Sequence, residues 1–402
     1  MFKNKVILIL GAGQEQLPAY QICKTNSAII IGVDKNKHAP GLKLSDYKII
    51  TSIRNDKKLI IKIKKLNLKI SAVLMIANDI PKIYYNICKE LRTKNISRKA
   101  AELSSNKIKL YKEFKKNNIS IPNFCVIKNI RKAKNFFETN NLPFVLKPYD
   151  SRGARGVNFI DKNSNFEKLF RDSLKVTKDK KLILQKFING TQVSSESIKY
   201  KNKIYTIMSY RNYKDVRKFY PSIIENGGDI PLKIDKKIKK KIDLLIFKIS
   251  KILNIKDSPL KCDLVISKDK IYVLEATPRF GGGYLASHSS EILYGVNFLL
   301  LYIKILLGFK IEKINFIYQK KFLSLRFIFA KKTGIIKSIK IPNLAKYKKY
   351  IVHKVFTKKV SSSIAKVKSH ADRIGCILIK SNKRKLSIKI AEKLTNTFNV
   401  KV

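Results

Sequence analysis

Three short, uninterrupted apolar runs near the start of the chain, Val6–Leu10, 28–33 and 72–76, restrict the fold more than any other feature. Continuous apolar runs of this length suit parallel strands buried on both faces. The stretches between them, Leu17–Thr25 and 56–66, read as helices. Strand and helix alternate, so the opening hundred residues predict a doubly wound α/β sheet with parallel strands. Gly11, Ala12 and Gly13 follow the first run, and Asp34 ends the second. That is half of a dinucleotide fingerprint. Gln16 stands where the third glycine would be, so a nicotinamide site has little support. The sheet can instead lend its carboxyl ends to a substrate pocket.

The pattern breaks around 95–105. Ser104, Ser105 and Asn106 then offer caps for a helix running to Asn117. Beyond Pro122 the chain mixes hairpins and helices. Strands are expected at 144–147, 157–160, Leu182–Lys186, 193–199, 204–210, 261–266 and 271–276, with helices at 165–174 and 238–253. The very apolar stretch 292–309 is interrupted by Lys304 and is marginal in length for a membrane span, so it reads as one buried helix. The last ninety or so residues are strand-rich, clearest at 322–330 and 375–379, and end in a helix near 387–394. No repeat of solenoid length is present.

Three constellations carry chemistry. In the first, a strand delivers Lys147 to a loop that contains Ser151, Gly153, Ala154 and Gly156 and returns at Val157. Small residues let backbone N–H groups approach an anion, and a lysine adds a point charge, so the loop suits phosphate. An ordinary hairpin with a glycine-rich bend has the same outline. In the second, Gln185, Lys186, Phe187 and Ile188 lead through a turn at Gly190 to Glu196. Strand-end backbone groups there can read an adenine edge, and Glu196 can meet a ribose or a cation. Taken alone, this too is a common hairpin.

The third is the most specific. Asp263 and Glu275 sit on successive antiparallel strands, followed by Thr277, Pro278, Arg279 and the glycines Gly281 to Gly283. Paired carboxylates on rigid strands suit Mg²⁺, a hard cation that prefers oxygen ligands and nucleotide phosphates. Arg279 would hold a carboxylate or stabilise a transferring phosphoryl group. A two-residue turn at Lys268 and Asp269 would set Asp263 opposite Leu274, with Glu275 on the other face. A metal site therefore requires a three-residue turn or a bulge.

The formal charge is +58, from 86 Lys+Arg against 28 Asp+Glu. Such a charge attracts polyanions. The lysines are spread along the whole chain, however, and no nucleic-acid-binding motif is present, so no specific nucleic-acid partner is expected. The run from Lys236 to Lys241 reads as a solvated helix face. Five cysteines, an odd number without a CxxC pair, fit a reducing compartment with no disulfide framework and no structural zinc. Four histidines stand at no zinc spacing, and no GxSxG or HExxH occurs. The basic, apolar N-terminus ends in a glycine turn rather than a cleavage site. A cytoplasmic protein is expected.

Taken in order, these motifs resemble the ATP-grasp superfamily, near the biotin carboxylase-like and amino-acid ligase branches. Carbamoyl phosphate synthase halves and formate-dependent purine enzymes are also similar. The resemblance implies a pre-ATP-grasp sheet over 1–103 and an ATP-grasp domain of two subdomains, 104–180 and 181–310. A small strand-rich C-terminal domain would follow over 311–402. It implies that Lys107 and Lys147 contact ATP phosphates and that the loop from Ser151 to Gly156 closes over them. Lys186 and Ile188 would meet adenine through their backbones, Glu196 would lie on the ribose side, and Asp263 and Glu275 would hold Mg²⁺ or Mn²⁺. Arg279 would stabilise an acyl phosphate or bind the acceptor carboxylate. Two positions depart from the family pattern: Gln185 replaces a frequent acid, and Thr277 replaces a usual Asn. A threonine oxygen is the poorer and shorter metal ligand. The implied activity is ATP-dependent joining of a carboxylate to an amine, with homodimers common among similar proteins. The rival readings are a bicarbonate-phosphorylating enzyme like carbamoyl phosphate synthase, a basic nucleic-acid-binding protein, and an ATP-grasp relic that binds nucleotide without catalysis.

Overall fold

The fold is described from a computed structural model covering residues 1–211 and 219–402. The opening sheet is parallel, in the order β3-β2-β1-β4, with β1 at Val6–Leu10, β2 at Ile29–Asp34, β3 at Tyr47–Ile50 and β4 at Ala72–Met75. β1 and β4 are buried along their whole length. Helices α1 (Leu17–Thr25), α2 (Asp56–Lys64) and α3 (Pro81–Glu90) complete the βαβ units. Proline in the first turn starts α1 and α3, where its missing N–H leaves no helical bond unmade. Asp34 anchors the glycine loop after β1, because its carboxylate accepts the Ala12 N–H at 2.9 Å. It clasps that loop to the end of β2.

α4 (Arg98–Ser104) and α5 (Lys107–Lys116) lead into the second layer. Asn106 caps α5 by accepting from the Ile108 and Lys109 N–H groups. A four-stranded antiparallel sheet follows in the order β5-β8-β6-β7, with β5 at Phe124–Ile127, β6 at Phe144–Pro148, β7 at Asn158–Ile160 and β8 at Leu182–Lys186. α6 (Ile130–Thr139) and α7 (Phe166–Leu174) cover it, with Phe136, Phe137, Phe166 and Phe170 packed into its core.

The third sheet is antiparallel and has eight strands, in the order β13-β12-β9-β10-β11-β14-β19-β17. Its first part holds β9 (Thr191–Tyr200), β10 (Lys203–Arg211), β11 (Gly227–Ile230), β12 (Pro259–Ser267) and β13 (Lys270–Thr277). α8 (Lys236–Ile252) packs Ile238, Ile242, Ile246 and Ile249 against it and leaves the lysine run in solvent. Strands from beyond residue 310 complete the same sheet: β14 (Phe322–Ile328), β17 (Ile351–Phe356) and β19 (Gly375–Ser381). Between them lie the short pairs of β15 (Gly334–Ile335) with β18 (Ser363–Ile364), and β16 (Ser338–Lys340) with β20 (Asn399–Lys401).

The apolar stretch 292–309, expected as one buried helix, is two helices, α9 (Ser290–Tyr294) and α10 (Phe298–Leu306). They belong to a helix pair bent by 114°. Gly295, at φ +70°, ends the first, and Asn297 caps the second by accepting from the Leu300 N–H. Among the described residues no single helix is long and apolar enough to cross a membrane. The last helix, α11 (Arg384–Thr397), lies along β14 and β19. It is tied there by Arg326, whose guanidinium is 2.8 Å from Asp229 on β11 and 3.3 Å from Glu392 on α11.

Candidate active site

A cavity of about 860 Å³ lies where the two antiparallel sheets and the carboxyl end of the parallel sheet meet. Its floor is one face of the eight-stranded sheet. Side chains alternate along a strand, so the pairings Glu196 with Lys261, Ser194 with Asp263, and Asp263 with Glu275 put all five side chains on one face. The turn at Lys268 and Asp269 is the two-residue one, with Ser267 paired to Lys270. A bulge then shifts the register between Asp263 and Leu264. The extra residue, Leu274, lines the cavity beside Glu275.

The two carboxylates are each held by a lysine. Lys261 Nζ donates to Asp263 Oδ1 at 2.6 Å, and Ser194 Oγ donates to the same oxygen at 3.2 Å. Lys107 Nζ lies 3.5 Å from Glu275 Oε1 and donates to the Ser151 carbonyl at 2.8 Å. Lys147 is buried, and its ammonium donates to the Tyr111 hydroxyl at 2.8 Å. That hydroxyl donates to the Leu274 carbonyl at 2.7 Å, and the Gln185 amide approaches it at 3.4 Å. Gln185 therefore serves a Lys147–Tyr111 bridge, which an acid would alter. Burial lowers Lys147 to about 8, with Glu275 and Asp263 acting against the fall.

The glycine loop is folded over the cavity. Gly153, Ala154 and Gly156 have φ of 62°, 61° and 70°. The loop is closed by Ser151 Oγ donating to the Arg155 carbonyl at 2.8 Å. The Gly153 carbonyl accepts from the His370 N–H at 3.0 Å, so the loop is also docked on the C-terminal region. At the opposite wall, the Lys186 N–H is committed to the Asn123 carbonyl and the Phe187 N–H to the Pro143 carbonyl. The Ile188 N–H makes no backbone hydrogen bond among the described residues.

Glu196 is fully buried. It accepts from the Gly281 N–H at 3.1 Å through Oε1, while Oε2 has no hydrogen-bond partner. Burial raises its carboxyl to about 7, against the pull of Lys261 and Arg279. A Cβ on Gly281 would stand 2.5 Å from this carboxylate, so only glycine permits the approach. Arg279 is paired to Asp79 through Nε at 2.7 Å and through Nη2, and Nη1 donates to the Phe280 carbonyl at 3.1 Å.

Of the residues picked from sequence, Lys107, Lys147, Ser151, Gly153, Ala154, Val157, Gln185, Lys186, Phe187, Ile188, Glu196, Asp263, Glu275 and Arg279 all line this cavity. Gly156 turns the loop behind it, against Pro148. Thr277 is buried off the cavity with its hydroxyl unpartnered. Sequence reasoning missed Tyr111, Lys261, Asp79, Glu15, Arg54 and Arg152. Lys261 was legible, standing two residues before Asp263 and so on the same face. Asp79 and Glu15 lie just beyond carboxyl ends of the parallel sheet, where ligands of such sheets gather.

Residues 104–283 match the family model described as ATP-grasp domain. Over those residues the chain is similar to an ATP-grasp domain. Among curated relatives, this chain is 25% identical over 195 residues to the formate-dependent phosphoribosylglycinamide formyltransferase of Prochlorococcus marinus (strain MIT 9515), covering 47% of this chain and 49% of that protein. It is 22% identical over 183 residues to the carbamoyl phosphate synthase large chain of Pseudothermotoga lettingae, covering 44% of this chain and 16% of that one. The chain thus spans about half the length of the formyltransferase it matches. Two solved structures share the fold from end to end. The L-amino acid ligase from Bacillus licheniformis has a TM-score of 0.82 at 16% identity, covering 100% of this chain and 99% of that one. The phosphoribosylglycinamide synthetase from Anaerococcus prevotii has a TM-score of 0.73 at 24% identity, covering 99% of each.

Proposed function

We propose that this chain is an ATP-dependent carboxylate–amine ligase. One observation carries the reading: two lysines, a docked glycine loop, an open strand-end N–H and two opposed carboxylates converge on one cavity. Lys107 and Lys147 hold the triphosphate, the loop from Ser151 to Gly156 covers it, and the backbone of Lys186 and Ile188 reads adenine. Asp263 and Glu275 offer hard oxygen ligands, each beside a lysine, and the pair would hold a Mg²⁺. Bound there, the ion supplies charge neutralisation at the phosphates. No group of three His, Cys, Asp or Glu residues able to hold a metal occurs among the described residues.

In this scheme a substrate carboxylate oxygen attacks the γ-phosphorus in line. The bond to the bridging oxygen breaks, giving ADP and an acyl phosphate. An amine then attacks the acyl carbon and phosphate departs. The docked loop keeps water from the intermediate. Arg279 has its donors committed to Asp79 and Phe280, so we assign it to fixing the Gly281–Gly283 turn and supplying charge rather than to gripping the acceptor. Arg54 and Arg152 line the cavity and make no side-chain hydrogen bond or ion pair among the described residues. The Glu15 carboxylate faces the same end, so close to Gly282 that a Cβ there would stand 2.2 Å away. An ammonium at Glu15 and an anion at Arg54 and Arg152 describe an acceptor amine that bears a second, acidic group.

Phosphate release from MgATP tests the reading, assayed against amino acids, dipeptides, amino phosphates and bicarbonate. Stimulation by one acid–amine pair is expected, falling about 100-fold or more in Glu275→Gln while nucleotide still binds. Stimulation by bicarbonate alone would favour the carbamoyl-phosphate type. Failure to bind ATP would overturn the proposal.

A further inference from the structure

A second cavity of about 410 Å³ lies behind the first, in the C-terminal region. Four aromatic rings line it, Phe219, Phe327, Phe329 and Phe398, together with the polar side chains of Asn226, Thr333, Thr395 and Asn396. Lys331, Lys332 and Lys366 stand at its mouth, and no acid is among the described residues that line it. Phe327 lines both cavities, and the Arg373 guanidinium lies 3.4 Å above the centre of its ring. The same walls grip the glycine loop. Phe219, Ile224 and Val367 form a small apolar cluster, and Ala154 and Phe329 pack against it. Ala154 is a non-glycine residue held at φ 61°, a left-handed conformation that costs an L-residue about 1 kcal/mol or more. Packing of its methyl group on that cluster, together with the bond from the His370 N–H to the Gly153 carbonyl, holds the loop down.

We propose that this second cavity is a ligand site for a small, flat apolar molecule carrying one anionic group, an aryl carboxylate in kind. Its occupancy stabilises the docked form of the phosphate loop. The chemistry is complementary on both counts: rings meet rings inside, and a carboxylate meets lysines at the rim with no opposing acid among the described residues. The coupling is mechanical. A guest that fixes Phe219, Phe329 and Val367 fixes the surface on which Ala154 rests. The relation is reciprocal, so a nucleotide that docks the loop tightens the guest. The inference stands apart from the ligase chemistry and requires only that the loop moves.

The test uses the full chain with 1-naphthoate as probe, followed by calorimetry. Ala365→Trp fills the cavity, and Lys331→Glu with Lys366→Glu reverses its rim; neither change touches the ATP cavity. One naphthoate per chain is expected in the parent. Binding should be abolished in the filled variant and weakened about tenfold or more in the reversed one. Neutral 1-naphthamide should bind about tenfold more weakly than naphthoate. Absence of binding to the parent, or undiminished binding in both variants, overturns the site. Trypsin cleavage after Arg152 or Arg155 reports the loop. Saturating naphthoate should slow it in the parent and leave it unchanged in the filled variant, and an unchanged rate with probe bound overturns the coupling. MgATP affinity of the probe-free variants stays near that of the parent, so failure here is distinct from failure of the ATP site.

Discussion

Lys147 shows how one buried charge can make nucleotide binding depend on pH. Its ammonium is stable below about 8 and is lost above it, because burial favours the neutral amine. In the proposed role the charge meets phosphate, so above that point each ATP bound would bring a proton with it. MgATP affinity is expected to be flat from about pH 6.5 to 7.5 and then to fall toward tenfold per unit. Lys147→Arg, charged at every such pH, would remove the slope. An affinity flat to about pH 9.5 in the parent would show that the ammonium does not meet phosphate. Glu196 works in the opposite sense. Its carboxyl titrates near 7 in the fold against an ordinary 4.5, so the folded chain binds the proton more tightly. That stability is present in full below about 4.5 and is lost as pH rises through about 7. Glu196→Gln should flatten this part of the stability–pH curve, a difference on the order of 3 kcal/mol across the window. Parallel curves for the two proteins by urea denaturation would refute the assignment.

At the level of elements, the features that make the site are departures from regularity. The bulge at Asp263 keeps Glu275 on the cavity face after a two-residue turn and adds Leu274 beside it. Alternation in the sequence left two registers open; in the fold the carbonyl of the bulged Leu274 accepts from the Tyr111 hydroxyl, a contact from a distant helix. The broken helix pair is similar. Periodicity ran through 292–309 without a stop strong enough to read, because Gly295 alone is tolerated in helices. In the fold, Gly295 takes φ +70° with open space around it, its nearest neighbour being Gln319 at 3.7 Å from a would-be Cβ. Gly295→Ala would therefore meet no clash and only backbone strain. A loss of about 1 kcal/mol in urea unfolding is expected, with MgATP affinity unchanged. A loss several times larger would mean that the bend is also held by packing at this position.

Over the whole molecule, a charge of +58 must attract polyanions, yet it need not serve a function. Retention on DNA should be non-specific and fall about a thousandfold between 50 and 200 mM salt if six or more phosphates are engaged. Binding of ATP in the cavity, screened from bulk ions by its walls, should weaken far less. Sequence-selective retention that survives such salt would revive the nucleic-acid reading. The sequence by itself determined the parallel sheet, the capped helix at Lys107, and the lysines, glycine loop and paired carboxylates that line the large cavity. Each of these rests on local rules: apolar periodicity, caps, and the alternation of side chains along a strand. Tertiary structure alone decided the rest. Asp79 meets Arg279 across 200 positions of chain, Lys147 and Gln185 share the hydroxyl of Tyr111, and the glycine loop docks on His370. Strands from beyond residue 310 finish a sheet begun at Thr191. Such contacts depend on which surfaces are brought together in space, and no spacing along the chain encodes that distance.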